Sequence, residues 1–276
     1  MINIRCSTLP SVSDCCRMAV ANTQRDLIAD VTPEITLNEK NTGIYSALGT
    51  AVHSGNEHTL REKIITGELP KISDSIEIAL NEFKSELKES ESVLYDDTTP
   101  NIPSAEHQIK LLTKMYHRDV APKVKFPDGA DPDNHLEVYL ETHIDDFLIS
   151  GHVDVISETS ILDTKSGKQP RPYHSQMGGY ANLLKSSRDF DPKYLIINYL
   201  PRVKTDKVYP GTVDKFYPVD FSKNEAWYLI QQLMRDINNF KSCGNPACFQ
   251  ANPNSALCNK KYCVAYNTGF CEYCKE

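Results

Sequence analysis

Residues 151–168 read GHVDVISETSILDTKSGK, two largely apolar runs around a polar centre. If Glu158 and Thr159 form the centre of an even-length hairpin loop, Ser157 faces Ser160 and Asp154 falls opposite Asp163, with side-chain origins about 4.5 to 5.5 Å apart. Two carboxylates so placed repel unless a cation lies between them. Lys165, two residues past Asp163, returns to the same face by the period of a strand. A hard divalent ion such as Mg2+ or Mn2+ favours a few carboxylate oxygens plus retained waters, which Asp154 and Asp163 supply together with the backbone carbonyl of Thr164. An ion held there would polarise a phosphodiester and help generate hydroxide, while Lys165 orients or activates the water and stabilises the developing charge. A bare D-x-K is short, and alone it is more often a solvated hairpin face.

Three further groups of residues share the chain with this hairpin. Gln176 and Tyr180, in HSQMGGYANLL, are four apart and lie on one face of a helix. Gly178 and Gly179 between them weaken that helix, which points to close approach by the sheet or by a strand of DNA. In LGTAVHSGNE, residues 48–57, His53 offers a nitrogen ligand and Glu57 stands one turn later on the same face. The nine cysteines fall at the two ends: Cys6, Cys15 and Cys16, then Cys243, Cys248, Cys258, Cys263, Cys271 and Cys274. In a reducing compartment such thiols are metal ligands or buried groups more often than a disulfide framework.

G-x-x-D, then an apolar strand ending in D-x-K, then Q-x-x-x-Y resembles the RecB-like branch of the PD-(D/E)XK nucleases. The His53 segment resembles that family's G-x-x-x-H-x-x-x-E helix. RCSTLPSVSDCCR resembles the opening of its iron-sulfur members, AddB-type nuclease domains and CRISPR-associated adaptation exonucleases, with Cys15 at the family cysteine and Cys16 where proline is usual. The resemblance implies a central mixed sheet flanked by helices, a helical N-terminal region arching over the site and a Cys-rich C-terminal tail. It implies an active site of Asp154, Asp163, Lys165, Gln176 and Tyr180, with metal held by His53, Asp154, Asp163 and Thr164. The Gln176–Tyr180 pair would contact DNA or orient the lysine. An acid before the G-x-x-D strand, Glu137 or Glu141, would join them. A [4Fe-4S] cluster on Cys15, Cys258, Cys263 and Cys271 is expected, with Cys16 or Cys274 as substitute ligands and a structural Zn2+ as the alternative. Cys6, Cys243 and Cys248 receive no role. The implied activity is DNA exonuclease on ends or single strands, in recombination, repair or phage DNA processing, beside an annealing or helicase protein. A site-specific endonuclease and a catalytically silent DNA-binding protein are the other readings.

The elements that must position these residues follow from patterning. Helices are expected at 11–30, 44–66, 72–94 and 104–117, then strands at 136–140, 147–156, 160–165, 194–200 and 206–209. A helix at 173–186 interrupts the strands, and an amphipathic helix at 222–240 follows them. The chain divides as a helical region 1–120, a nuclease core 121–242 and a Cys-rich tail 243–276 packing on the first helix. At 276 residues it can bury one substantial core plus an appendage. A net charge of −7 excludes binding nucleic acid by sheer basicity, so local cations such as Lys193, Arg202, Lys204, Lys207 and Lys215, or metal ions, must meet phosphates. No apolar run reaches the roughly 18 residues of a membrane span, no signal peptide is evident, and no phosphate-loop motor sequence is present, so a cytoplasmic protein is expected.

Overall fold

A computed structural model describes residues 1–39, 43–89 and 94–273. In chain order the elements are β1 (Ile2–Arg5), α1 (Leu9–Thr23), α2 (Arg25–Val31), α3 (Ile44–Thr66), α4 (Ile72–Glu89), α5 (Ile102–Asp119), the single turn α6 (Pro132–His135), β2 (Leu136–Ile144), β3 (Phe147–Ile156), β4 (Ser160–Gly167), α7 (His174–Arg188), β5 (Tyr194–Pro201), β6 (Val213–Tyr217) and α8 (Val219–Cys243). They form a central mixed sheet flanked by helices, with a mainly helical N-terminal region and a Cys-rich C-terminal stretch. Among the described residues no helix is long and apolar enough to cross a membrane.

The sheet is organised around β3. One edge of β3 pairs along its length with antiparallel β2, joined by a two-residue turn in which Asp145 takes φ 50°. Its other edge is shared: parallel β1 takes Phe147–Ser150, and antiparallel β4 pairs only at Val155 and Ile156. β4 then runs parallel to β5 over eight residues, and β6 closes the far edge antiparallel to β5. The two strands of the acidic hairpin therefore part at Asp154, where a site can open.

Alternation along the strands sends side chains to two cores. Ile149, Val153, Ile161, Leu195 and Ile197 pack with α1, α7 and α8, whereas Val155, Leu162, Ile196 and Leu200 pack with α3, α4 and α5. α3 and α5 pack on the sheet, and α4 packs on both helices. A second tie joins these helices to the sheet. Asp96, in the loop before α5, accepts from Thr98 and Thr99 and pairs with Arg202 Nη2 at 3.2 Å, while Lys168 reaches both Asp96 and Asp97. Burial works against the Asp96 charge, but these partners outweigh it and hold the carboxyl well below the usual range.

Some expected boundaries shift for physical reasons. The helix expected at 11–30 is two, broken at Gln24, and within α1 Cys15 leaves helical geometry at φ −153° and ψ 97°. β1 is new: four residues offer only two apolar positions, too few for a pattern. The strand expected at 206–209 is a turn, closed by Lys207 N–H donating to Lys204 O. Pro210, which cannot donate to a ladder, and Gly211, at φ +105°, delay the strand to Val213. The expected end of α4 at 90–93, and Cys274, lie outside the described residues.

Candidate active site

The hairpin takes the register read from its sequence. Val155 pairs with Leu162 and Ile156 with Ile161, and Ser157 N–H donates to Ser160 O across the Glu158–Thr159 loop. At the next position the ladder gives way. Thr164 donates its backbone N–H to Asp154 Oδ2 at 2.7 Å.

α3 delivers His53 to this opening. Its Nδ1 lies 3.3 Å from Asp154 Oδ2 and 3.8 Å from Glu137 Oε1. One ligand atom from each of the three residues lies within 4.8 Å of the others, close enough for a single cation to be shared. Glu137 is the acid that joins the site; Glu141 instead accepts a hydrogen bond from the exposed Tyr139 hydroxyl. Glu137 reaches it by strain, with φ 48° inside β2 although Leu136 and Val138 on either side keep one register with Val155 and Val153. A non-glycine residue there costs on the order of 1–2 kcal/mol, and such strain collects at functional sites. Burial opposes a charge on His53, but Asp154 and Glu137 outweigh it and push the imidazole up to about 9.

Asp163 belongs to a second, adjoining group. Its Oδ1 lies 2.7 Å from Lys165 Nζ, and its Oδ2 accepts from Gln176 Nε2 at 2.7 Å. Burial and the neighbouring Asp154 charge push its carboxyl up to about 6, against the pull of Lys165. For Lys165, burial disfavours the charge, yet Asp163 and Asp154 hold its ammonium above the ordinary lysine range. The ammonium also lies 5.4 Å from the centre of the Tyr173 ring.

Gln176 and Tyr180 do share a face of α7, but each is buried, so neither can touch DNA in this arrangement. Gln176 donates to Asp163 and to the Tyr180 hydroxyl, orienting the acid rather than the lysine. The Tyr180 ring fills the place of a side chain at Gly151, where a Cβ would come within 2.6 Å of it. The two glycines of α7 serve packing: a Cβ at Gly178 would meet the Ser222 carbonyl oxygen at 1.8 Å, and one at Gly179 would meet Cys6 Sγ at 2.7 Å. Arg202 is buried against Asp96 and cannot meet a phosphate. Glu57 accepts from Arg61 rather than from His53, though it lines the same small cavity as His53, Glu137 and Asp154.

Sequence reasoning missed three residues here. Tyr116 and Asn56 line the cavity, and Tyr173 lies under Lys165. Only Asn56 carried a usable signal, because it stands three residues after His53 on one helix face.

In the core that holds α1, Cys15, Cys258, Cys263 and Cys271 line one cavity, and Cys16 is not among its lining residues. The non-helical turn at Cys15 accompanies this placement, and Asn252 N–H donates to its sulfur at 3.4 Å. Burial raises the Cys263 thiol to about 11, with smaller contributions from Cys271, Cys15 and Cys258. Cys243 and Cys248 sit apart from that cavity with sulfurs 3.5 Å from each other, and Cys6 is buried against α7.

No family model matches the chain, and no curated protein does. Among solved structures, one similar chain is a provisionally assigned exonuclease from Eubacterium rectale, 12% identical over 78% of this chain and 89% of that one, with a TM-score of 0.46. SSO0001 is 13% identical over 88% and 93%, with a TM-score of 0.31. Neither overlap is close enough to carry an assignment.

Proposed function

We propose that the chain is a metal-dependent deoxyribonuclease of the RecB-like PD-(D/E)XK type, acting as an exonuclease on DNA ends or single strands. The observation that carries this reading is the convergence of His53, Glu137 and Asp154 on one point beside the Asp163–Lys165 pair. The donor set fits Mg2+ or Mn2+: two carboxylates and an imidazole from the trio, with Asp163 Oδ1 adjoining. That oxygen is buried and, despite its ion pair, makes no hydrogen bond of sound geometry among the described residues. When bound, the ion supplies Lewis acidity toward a phosphodiester oxygen and lowers the pKa of water.

The chain's own residues do the rest. Lys165 offers a fixed ammonium that orients the attacking water and meets the charge developing on the phosphoryl group. Gln176 holds Asp163 in place for Lys165, and Thr164 N–H holds Asp154. Mutual repulsion among Asp154, Asp163 and Glu137 is relieved by a cation and otherwise only in part by Lys165 and protonated His53. Cys15, Cys258, Cys263 and Cys271, which line one cavity, would hold the [4Fe-4S] cluster, with a structural Zn2+ as the alternative. In this reading the cluster is structural, and a recombination, annealing or helicase partner supplies DNA ends.

The test is incubation of anaerobically purified protein with end-labelled single-stranded, duplex and closed circular DNA, with and without Mn2+. Loss of label from ends with circles intact is expected; cut circles would make it an endonuclease, and binding without hydrolysis a silent DNA-binding protein. Asp163→Ala and Lys165→Ala should each reduce cleavage at least 100-fold or so while remaining folded. Wild-type cleavage by either would sink the site. A brown preparation with visible absorption indicates iron-sulfur, and a colourless one containing zinc indicates the alternative.

A further inference from the structure

Asn56 stands on α3 between His53 and Leu60, on the face turned to the sheet, and only 4% of its surface is exposed. It lines the small cavity bounded also by His53, Glu57, Tyr116, Glu137 and Asp154. Neither its Nδ2 nor its Oδ1 has a hydrogen-bond partner among the described residues. A buried primary amide with all its donors and acceptors idle is expensive, and leucine, of nearly the same shape, would cost the fold nothing there. Helix packing therefore does not account for an amide at this position. The neighbours are the three ligands on which the proposed metal centre rests, and Mg2+ and Mn2+ keep several waters when protein-bound. A cation's water is a strong donor, and Asn56 brings an idle acceptor to a cavity lined also by Glu57, Leu60, Tyr116, Val155 and Thr164.

We infer that Asn56 is an outer-sphere residue of the metal centre, its amide oxygen accepting from a water of the cation's hydration shell and so setting both affinity and the orientation of that shell. This rests on the metal-centre reading above. Asn56 touches neither substrate nor ion and is a positioning residue. The idle amide is then the mark of a site built for a hydrated ion: its cost is borne by the metal-free protein and relieved on binding.

The experiment measures Mn2+ binding by electron paramagnetic resonance and calorimetry, and thermal unfolding in EDTA, for the wild type, Asn56→Leu, Asn56→Ala and Asn56→Asp. Asn56→Leu should melt at or above the wild-type temperature without metal, yet bind Mn2+ roughly 10- to 100-fold more weakly, the usual loss for an outer-shell partner. Asn56→Asp, which keeps an acceptor, should bind at least as tightly as the wild type. Asn56→Ala, which adds no bulk, should weaken binding as leucine does and guards against a packing artefact at the larger residue. Wild-type affinity in both Asn56→Leu and Asn56→Ala would overturn the inference while leaving the metal centre standing. Destabilisation of both variants in EDTA, with no selective loss of Mn2+, would make Asn56 a structural residue and overturn it as well. Failure of the wild type itself to bind Mn2+ would remove the metal-centre reading, and this inference with it.

Discussion

Asp163 is buried with one oxygen on Lys165 and the other on Gln176, so it is both charged at a cost and held still. The two properties separate on substitution. Asp163→Asn removes the charge that burial and Asp154 resist, and keeps an oxygen for Gln176. It also leaves the buried Lys165 ammonium without its nearest partner, so in EDTA near neutral pH it should unfold at a lower urea concentration than the wild type, while cleaving no DNA. Gln176→Leu should differ: folding is retained, but cleavage falls about 10- to 100-fold as Asp163 loses its orienting donor, by analogy with other supporting-shell losses. Much of this site was legible from residue types and spacing, because the hairpin register needs only a two-residue loop and facing apolar pairs, and His53 announces itself once a second acid is near. The choice of Glu137 over Glu141 was not legible, since it depends on a left-handed backbone angle inside a strand. Nor was the burial of Gln176, since a polar residue at helical spacing reads the same whether it faces solvent or a buried carboxylate.

At the scale of elements, α7 and α8 touch backbone to backbone at Gly178. Gly178→Ala should force the helices apart and destabilise the fold by about 3 kcal/mol, while Gly179→Ala, which meets only the Cys6 side chain, should cost nearer 1 kcal/mol; urea unfolding measures both. Asp96 gives a second prediction. Its carboxyl lies below the ordinary range in the folded protein, so the stability it contributes is present above about pH 4 and is lost as pH falls toward the folded-state value. Asp96→Asn should cost about 3–5 kcal/mol near pH 7 by leaving Arg202 buried without its partner. The gap between the two proteins in urea unfolding should narrow as pH drops below 4. α3, β3, β4 and α8 could be placed from periodicity because each is long enough to repeat its pattern. β1 could not, and Arg202 among exposed lysines reads as one more surface cation until the loop at Asp96 folds over it.

Across the whole molecule, the Cys-rich stretch is bound to α1 by polar contacts that do not depend on any metal. Arg17 Nε donates to Phe249 O at 3.1 Å, Val264 N–H donates to Asn22 Oδ1, and Phe249 and Phe270 bury their rings against Phe240 of α8. If a cluster occupies the cysteine cavity, Cys15→Ser should lower the melting temperature and expose residues 250–273 to limited proteolysis, yet leave Mn2+ affinity at His53, Glu137 and Asp154 unchanged. Arg17 and Phe249 are 232 residues apart in sequence. At the roughly 5 to 20 residues per second of protein synthesis, α1 must wait on the order of 10 to 50 s for the segment that covers it. Through that interval Cys15, which residues 251–271 help to enclose, lacks that part of its cover. That delay sets a clock on the protein's birth: Cys15 spends longer exposed to oxidants, stray metals and chaperones than the late cysteines it joins.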